Sequence, residues 1–378
     1  MKKISLIGST GSVGKMVLDV VRNNPDLSVV ALTAHTNADL LQRQIAEFSP
    51  KIACLTGKDY FSCGTSGTKT YAGADSIIRA VCDEADVVFV AVTGFAGLEV
   101  TLRAIELKKD VALANKEALV CGGNLVTSAA AAAGVEIIPV DSEISAVWQA
   151  LDFKKQGYKK IILTASGGPF REASIDELKS VTPEQALNHP TWKMGKKITV
   201  DCATMLNKGF EVIEAHHMFG APLDSIEVVV HPQSIIHSMV EFCDGSVLAE
   251  MSYPDMRQPI QAALTYPQKR PLPPLASMDF ASVGRLEFYS PDREKFPCLA
   301  IAEQSIRTGG TNPCAMNAAS EVAVNEFLNG NILFTDIARV IEKIVEKDFG
   351  AEVTLPALID ADARSRAEAK KIINNFKR

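Results

Sequence analysis

Asp141 and Glu143, in the run Asp141-Ser142-Glu143, close an apolar stretch from Ile137 to Val140. On a strand, that spacing points both carboxylates the same way. Further along, Asn207-Lys208-Gly209-Phe210-Glu211 sets Asn207 and Glu211 four apart and Lys208 and Glu211 three apart, so a helix gathers them on one side. Three carboxylates from two distant segments can chelate one hard divalent cation, and an all-oxygen set favours Mg2+ or Mn2+ over Zn2+. The competing reading is ordinary solvated acids, but charge ending an apolar strand is costly without a partner.

A second constellation lies at the N-terminus. Gly8, Gly11 and Gly14 follow a short apolar strand, Ile4 to Ile7, and open a helical pattern from Met16 to Asn23. Glycines let the backbone approach a pyrophosphate, and the helix start offers free N–H groups. A tight turn that binds nothing is the bland alternative. The spacing GxxGxxG suits an NADP-linked reductase. The second strand ends Ala34-His35-Thr36-Asn37 with no acid at its tip, so a ribose 2′-phosphate would not be repelled. Asp39 is the residue that could instead hold a 2′-hydroxyl.

Other residues have types suited to a phosphorylated substrate. Lys116 in Asn115-Lys116-Glu117 follows the strand Val111 to Ala114, whose tip faces the ligand crevice of a doubly wound sheet. Ser166-Gly167-Gly168 resembles an anion-binding loop. Asn207 and Lys208 add an amide and a cation, and His189 a donor. Trp192 and Met194 sit among glycine, lysine and proline, as in a lid that excludes water; an aromatic plug against the protein's own surface is the bland alternative.

These residues need a scaffold. Strand patterns at Leu27 to Ala34, Ile52 to Leu55, Val87 to Val92, Val111 to Ala114 and Ile137 to Val140 alternate with helical ones, including Ala38 to Phe48. The expected fold is α/β: an N-terminal doubly wound, Rossmann-like parallel sheet. A central α+β catalytic domain with an open sheet follows, with strands at Lys160 to Thr164, Ile226 to His231, Ser234 to Phe242 and Ser246 to Met251 and a hairpin turn at Asp244-Gly245. Pro267, Pro271, Pro273 and Pro274 mark a linker, and from Cys298 the pattern is a helical bundle. The expected domains are 1–141, 142–266, a linker 267–296, and 297–378.

Composition narrows the class. With 378 residues, 47% hydrophobic and 22% charged, the chain reads as a multidomain globular protein. A net charge of -6 argues against a nucleic-acid surface. The apolar runs are too short to span a bilayer, and Met1-Lys2-Lys3 leads straight into a strand, so no membrane segment, signal or transit peptide is expected. The eight cysteines include no CxxC pair and read as reduced thiols in a cytoplasm.

The motifs Gly8-Ser-Thr-Gly-Ser-Val-Gly14, Ala114-Asn-Lys-Glu117, Val140-Asp-Ser-Glu143, Ala165-Ser-Gly-Gly-Pro-Phe170, His189-Pro-Thr-Trp-Lys-Met-Gly195, Ala203-Thr-Met-Leu-Asn-Lys-Gly209 with Glu211, and His231-Pro-Gln-Ser-Ile-Ile-His237 occur in this order. Together they closely resemble the 1-deoxy-D-xylulose 5-phosphate reductoisomerases over essentially the whole chain. The resemblance implies that Asp141, Glu143 and Glu211 hold one Mg2+ or Mn2+, with Lys116 also catalytic. It implies substrate contacts at Lys116, Ser142, Glu143, Ser166, His189, Cys202, Asn207, Lys208 and Glu211, and a mobile lid at Trp192 and Met194. NADPH contacts are implied at Thr10, Gly11, Ser12, Val13, His35, Thr36, Asn37, Asn115, Glu117 and Gly195. It further implies a homodimer, a phosphorylated sugar substrate, and a metal-assisted skeletal rearrangement followed by reduction. Two positions depart from the family pattern. Cys202 stands where the family has a phosphate-binding serine, and a thiol is a weaker donor. His35-Thr36-Asn37 replaces Gly-Lys-Asn, removing a charge that could hold the 2′-phosphate.

Two other classes remain to be weighed. An NADP semialdehyde dehydrogenase shares the glycine start but needs a nucleophilic thiol, which Cys202 or Cys121 would have to supply. A non-catalytic NADP sensor would need no chelating carboxylates.

Overall fold

The computed structural model describes residues 1–152, 157–268 and 275–376. Residues 269–274, with Pro271, Pro273 and Pro274 of the expected linker, lie outside them. In chain order the elements are β1 (Lys2–Ile7), α1 (Ser12–Arg22), β2 (Leu27–Ala34), α2 (Ala38–Phe48), β3 (Ile52–Leu55), β4 (Lys69–Ala72), β5 (Val87–Val90), α3 (Ala96–Glu106), β6 (Asp110–Leu113), α4 (Glu117–Ala133), β7 (Ile137–Pro139) and α5 (Ser142–Ala150). Then come β8 (Tyr158–Ala165), α6 (Ile175–Leu178), α7 (Pro183–Ala186), α8 (Lys196–Ala203), α9 (Leu206–Phe219), β9 (Ile226–Val230), β10 (Ile236–Phe242), β11 (Val247–Met251), α10 (Arg257–Thr265), α11 (Phe280–Val283), α12 (Cys298–Thr308), α13 (Asn312–Leu328), α14 (Phe334–Val345) and α15 (Leu355–Asn374).

The chain divides into two compact units. One comprises Met1–Ala118, Val126–Ser145 and Asp255–Ser277; the other comprises Leu119–Leu125, Ala146–Pro254 and Met278–Arg378. In the first, seven parallel strands run in the order β4-β3-β2-β1-β5-β6-β7. β5 is fully buried, and so is β1 from Ile4 to Ile7, as a parallel sheet covered on both faces requires. The chain reverses direction across the sheet between β1 and β5, so the crevice past their carboxyl ends is the ligand position of this fold. α10 returns to this unit late in the chain. Lys2 Nζ donates to the carbonyls of Leu264 (3.2 Å) and Tyr266 (2.9 Å), and Arg257 bonds Asp19 at 3.0 Å.

The second unit holds a four-stranded sheet, β11-β10-β8-β9, with β10 antiparallel to β11 and β8, and β8 parallel to β9. The expected hairpin is present: Gly245 takes φ +84° and Asp244 Oδ1 accepts the Ser246 N–H at 2.9 Å. The helices α12 to α15 form the bundle expected after Cys298. α13 lies at its centre, with most of its residues buried, and α14 contributes Phe334, Ile337, Val340, Ile341, Ile344 and Val345. Each such side chain is worth about 1.5–3 kcal/mol when removed from water.

One local expectation is corrected. Asp141 and Glu143 do not lie on a strand. β7 stops at Pro139, and Ser142 starts α5. The Ser145 N–H donates to the Asp141 carbonyl at 2.8 Å, which makes Asp141 the residue that opens the helix. Asp, Ser and Glu favour this position because their oxygens and charge suit free N–H groups at a helix start.

Candidate active site

The glycine loop is built by close approach. Gly8 takes φ +96°, and a Cβ on Gly14 would stand 2.2 Å from the Gly8 carbonyl oxygen. Ser9 is buried and ties the loop to α2: its Oγ donates to Gln44 Oε1 at 2.7 Å, and Gln44 Nε2 donates to the Ser9 carbonyl at 3.0 Å. Gly11 caps α1 without a side-chain bond, and no acid occupies the first turn. The first N–H groups of α1 therefore form an anion-binding end, with Gly11 and Ser12 exposed and Thr10 and Val13 half-buried. At the tip of β2, His35, Thr36 and Asn37 are exposed. His35 Nδ1 lies 3.0 Å from Thr56 Oγ1, and Asn37 Oδ1 caps α2 by accepting the Leu40 N–H at 3.1 Å.

At the tip of β6 the side chains expected to face a cofactor are engaged within the protein. Asn115 Nδ2 donates to the carbonyls of Val92 (3.1 Å) and Gly94 (3.0 Å) and to Glu117 Oε2 (3.0 Å), while its Oδ1 accepts the Ala118 N–H at 3.0 Å. Glu117 Oε1 accepts the Gly94 N–H at 2.9 Å. The pair clamps the loop after β5 to the start of α4. Gly97 makes room, since a Cβ there would stand 2.1 Å from Asn115 Oδ1. Gly97→Ala should lower stability by about 2–4 kcal/mol, read as a drop in denaturation midpoint. Adding Asn115→Ala should restore part of that loss.

Between these two residues, Lys116 is 7% exposed and ion-pairs with Asp141, itself 8% exposed. Ser142 Oγ donates to Glu143 Oε2 at 2.8 Å. Asp141 and Glu143 each offer a carboxylate oxygen within 4.8 Å of the other, close enough to share one ion.

The second unit carries the remaining residues. Met205, at φ +63°, turns the chain from α8 into α9, whose first turns hold Asn207, Lys208 and Glu211. Glu211 is fully buried; its Oε1 accepts from Asn207 Nδ2 at 2.5 Å and its Oε2 pairs with Lys208. A buried carboxylate needs such partners. Both Glu211 and Asp141 thus face an ammonium, which demands the same anionic oxygen that a hard cation does. This donor chemistry fits a divalent ion.

After β8, the Gly167-Gly168 turn rests on the end of α8. A Cβ on Gly168 would meet the Cys202 carbonyl oxygen at 2.9 Å, and the Cys202 side chain is half-buried. Ser166 Oγ accepts the Gly168 N–H at 3.2 Å and lies 2.9 Å from His189 Nε2. His189 Nδ1 accepts the backbone N–H groups of Thr191 (3.2 Å) and Trp192 (3.0 Å). That assigns the proton to Nε2, which donates to Ser166. Burial lowers the His189 pKa below its ordinary 6.5. The ring is therefore neutral at pH 7, and its contribution to stability, present above the unfolded pKa, is lost as pH falls below it. Protonating Nδ1 breaks the bonds that shape the loop. Ligand binding by this loop should thus weaken as pH falls below 6.5, read as a rising KM. A His189→Asn variant should show a flat profile across that range.

The loop after His189 docks on a segment to which the sequence attached no role. Thr191 Oγ1 lies 3.2 Å from Ser234 Oγ, and the Trp192 ring meets the His237 ring edge-on at 5.9 Å. His237 Nε2 donates to the Ser252 carbonyl at 3.1 Å, which fixes that ring. The sequence signal is the pair of histidines, His231 and His237, that brackets the entry to an otherwise largely apolar strand.

Three family profiles match: 1-deoxy-D-xylulose 5-phosphate reductoisomerase over residues 4–123, its C-terminal domain over 137–219, and a DXP reductoisomerase C-terminal domain over 251–368. A reductoisomerase of Porphyromonas gingivalis is 46% identical, covering 100% of both chains. The chain belongs to the 1-deoxy-D-xylulose 5-phosphate reductoisomerase family. The reductoisomerase of Geobacillus kaustophilus is 48% identical over 97% of this chain and 98% of its own. Among solved reductoisomerase structures, that of Zymomonas mobilis in complex with NADPH is 41% identical, with a TM-score of 0.92 over 98% of this chain and 99% of that one. A DOX-P reductoisomerase in complex with NADPH, fosmidomycin and magnesium is 36% identical, with a TM-score of 0.94 over 100% of both chains.

The reductoisomerase assignment leaves the thiol-dependent dehydrogenase without support. Cys121 is only 3% exposed within α4. Among the described residues no helix is long and apolar enough to cross a membrane.

Proposed function

We propose that this chain converts 1-deoxy-D-xylulose 5-phosphate to 2-C-methyl-D-erythritol 4-phosphate, using NADPH and one divalent cation. The observation that carries this reading is the full-length likeness to a reductoisomerase structure in complex with NADPH, fosmidomycin and magnesium. Asp141, Glu143 and Glu211 are the assigned metal ligands, supported by the all-oxygen donor set and the reach of Asp141 and Glu143. When bound, the cation supplies Lewis-acid polarisation of neighbouring substrate oxygens and NADPH supplies hydride.

The protein's own residues do the rest. Lys116, oriented by Asp141, presents an ammonium to the substrate oxygens, and Ser142 holds Glu143 in place. Ser166, His189, Asn207 and Lys208 bind the phosphate, with Cys202 a weak contributor. Phosphate binding, remote from the bonds that change, supplies energy for orientation and for closing the loop. Trp192 and Met194 exclude water from the reacting carbonyl. Thr10, Gly11, Ser12, Val13, His35, Thr36, Asn37 and Gly195 line the cofactor, and Asn115 and Glu117 act there by shaping the loop after β5.

The organisation into 1–141, 142–266, 267–296 and 297–378 is retained as part of the proposal, supported by the separate sheets and the terminal bundle, except that α10, inside 142–266, belongs to the first compact unit. A homodimer is supported by β11, an edge strand with Val247 and Leu248 exposed. That no disulfide joins any of the eight cysteines supports a cytoplasmic setting. The test is NADPH consumption on adding 1-deoxy-D-xylulose 5-phosphate with Mg2+. Turnover that stops with a chelator and not with a thiol reagent is expected; the reverse pattern would restore the dehydrogenase.

A further inference from the structure

Lys197 stands in the first turn of α8, two residues after Gly195, which caps the helix and ends the loop carrying Trp192 and Met194. A cation there meets the positive end of the helix dipole, and a lysine placed before its acid at i, i+4 is the weaker order. Local helix physics disfavours this choice, so its favourable terms are tertiary. Lys197 Nζ donates to Asp201 Oδ2 at 2.5 Å and to Ser320 Oγ at 3.2 Å, and lies 5.4 Å from the centre of the Phe210 ring. Asp201 is 4% exposed and Ser320 fully buried. Ser320 gives its own proton to the Asn317 carbonyl at 2.8 Å, which turns a lone pair toward the lysine. The next residue, Glu321, is gripped by Arg366 of α15 at 2.7 Å, and Arg366 also holds Asp362. One ammonium thus joins α8, α9 next to Glu211, and α13, and α13 is itself tied to α15.

We propose that Lys197 is a positioning residue: through Ser320 it anchors the end of the Trp192–Met194 loop to the C-terminal bundle, and so sets how tightly that loop holds the phosphorylated substrate. The inference rests on the reductoisomerase reading. Lys197→Met keeps the side-chain stem against Phe210 and removes the donor; Ser320→Ala removes only the acceptor on the bundle; Ser320→Thr keeps the hydroxyl. The KM for 1-deoxy-D-xylulose 5-phosphate should rise about tenfold in Lys197→Met and about threefold in Ser320→Ala, with kcat within about twofold. Ser320→Thr should return to the wild-type value.

A second readout needs no turnover. In protein without substrate, amide hydrogen exchange across residues 189–195 should be faster in Lys197→Met and Ser320→Ala than in wild type, and restored in Ser320→Thr. Unchanged KM and unchanged exchange in both weakened variants, whatever their melting temperatures, would overturn the anchor. If the wild type itself fails to turn over the sugar phosphate, the functional reading falls and the exchange result alone decides the anchor.

Discussion

Replacing Glu211 with Gln should cut metal-dependent turnover by on the order of a thousandfold while NADPH still binds. The loss follows from removing one of the proposed anionic oxygen ligands, since Lewis-acid stabilisation is worth several kcal/mol and each 1.4 kcal/mol is about tenfold in rate. Glu211 is fully buried and faces Lys208, itself 3% exposed. The neutral amide removes the charge opposite that ammonium, so folding stability should also fall by about 3 kcal/mol. A Lys208→Met change added to Glu211→Gln should regain stability without regaining turnover, which separates the chemical loss from the structural one. NADPH affinity is the internal control, because the glycine loop lies in the other compact unit. Full activity in Glu211→Gln would remove this residue from the ligand set.

Gly14→Ala should strike the cofactor instead. The added methyl would stand 2.2 Å from the Gly8 carbonyl oxygen and 2.7 Å from Ser9 Cα, both backbone atoms that have nowhere to go. The loop must open or α1 must shift, and either change misplaces the N–H groups proposed to face the pyrophosphate. An NADPH dissociation constant raised about a hundredfold is expected, with stability lowered by about 2–4 kcal/mol. Cofactor fluorescence titration reads the first and denaturant unfolding the second. Mn2+ affinity should survive, since the proposed ligands are carboxylates outside the glycine loop.

The pattern of what the sequence reveals is itself physical. α2 is legible to the residue, Ala38 to Phe48, because Asn37 is a strong N-cap and the apolar positions keep a helical period. β4 escapes because Lys69 to Ala72 is short, partly exposed and at the sheet edge, so no apolar run marks it. α10 escapes because Pro259 interrupts its pattern beside a proline-rich stretch, and its partners Lys2 and Asp19 are far away in sequence. Asp141 and Glu143 are found as residues but placed on the wrong element. An apolar run of Ile137 to Val140 suggests a longer strand, whereas β7 is three residues and Asp-Ser-Glu is a helix start.

Within the candidate site, residue type was legible and partnership was not. Nothing in the spacing pairs Lys116 with Asp141, or sets Gly97 behind Asn115. The tautomer of His189 depends on two backbone N–H groups that only a folded loop brings to Nδ1. The use of Ser234 and His237 as a dock for Thr191 and Trp192 depends likewise on chain geometry.

The most direct test of the whole account is a Mn2+ titration followed by electron paramagnetic resonance, in the presence of NADPH, on the wild type and on Asp141→Asn, Glu143→Gln and Glu211→Gln. One bound ion per chain is predicted, displaced by Mg2+, with each substitution weakening it by about tenfold to a hundredfold. An unchanged affinity in any one of the three variants would contradict a single ion gripped by all three carboxylates.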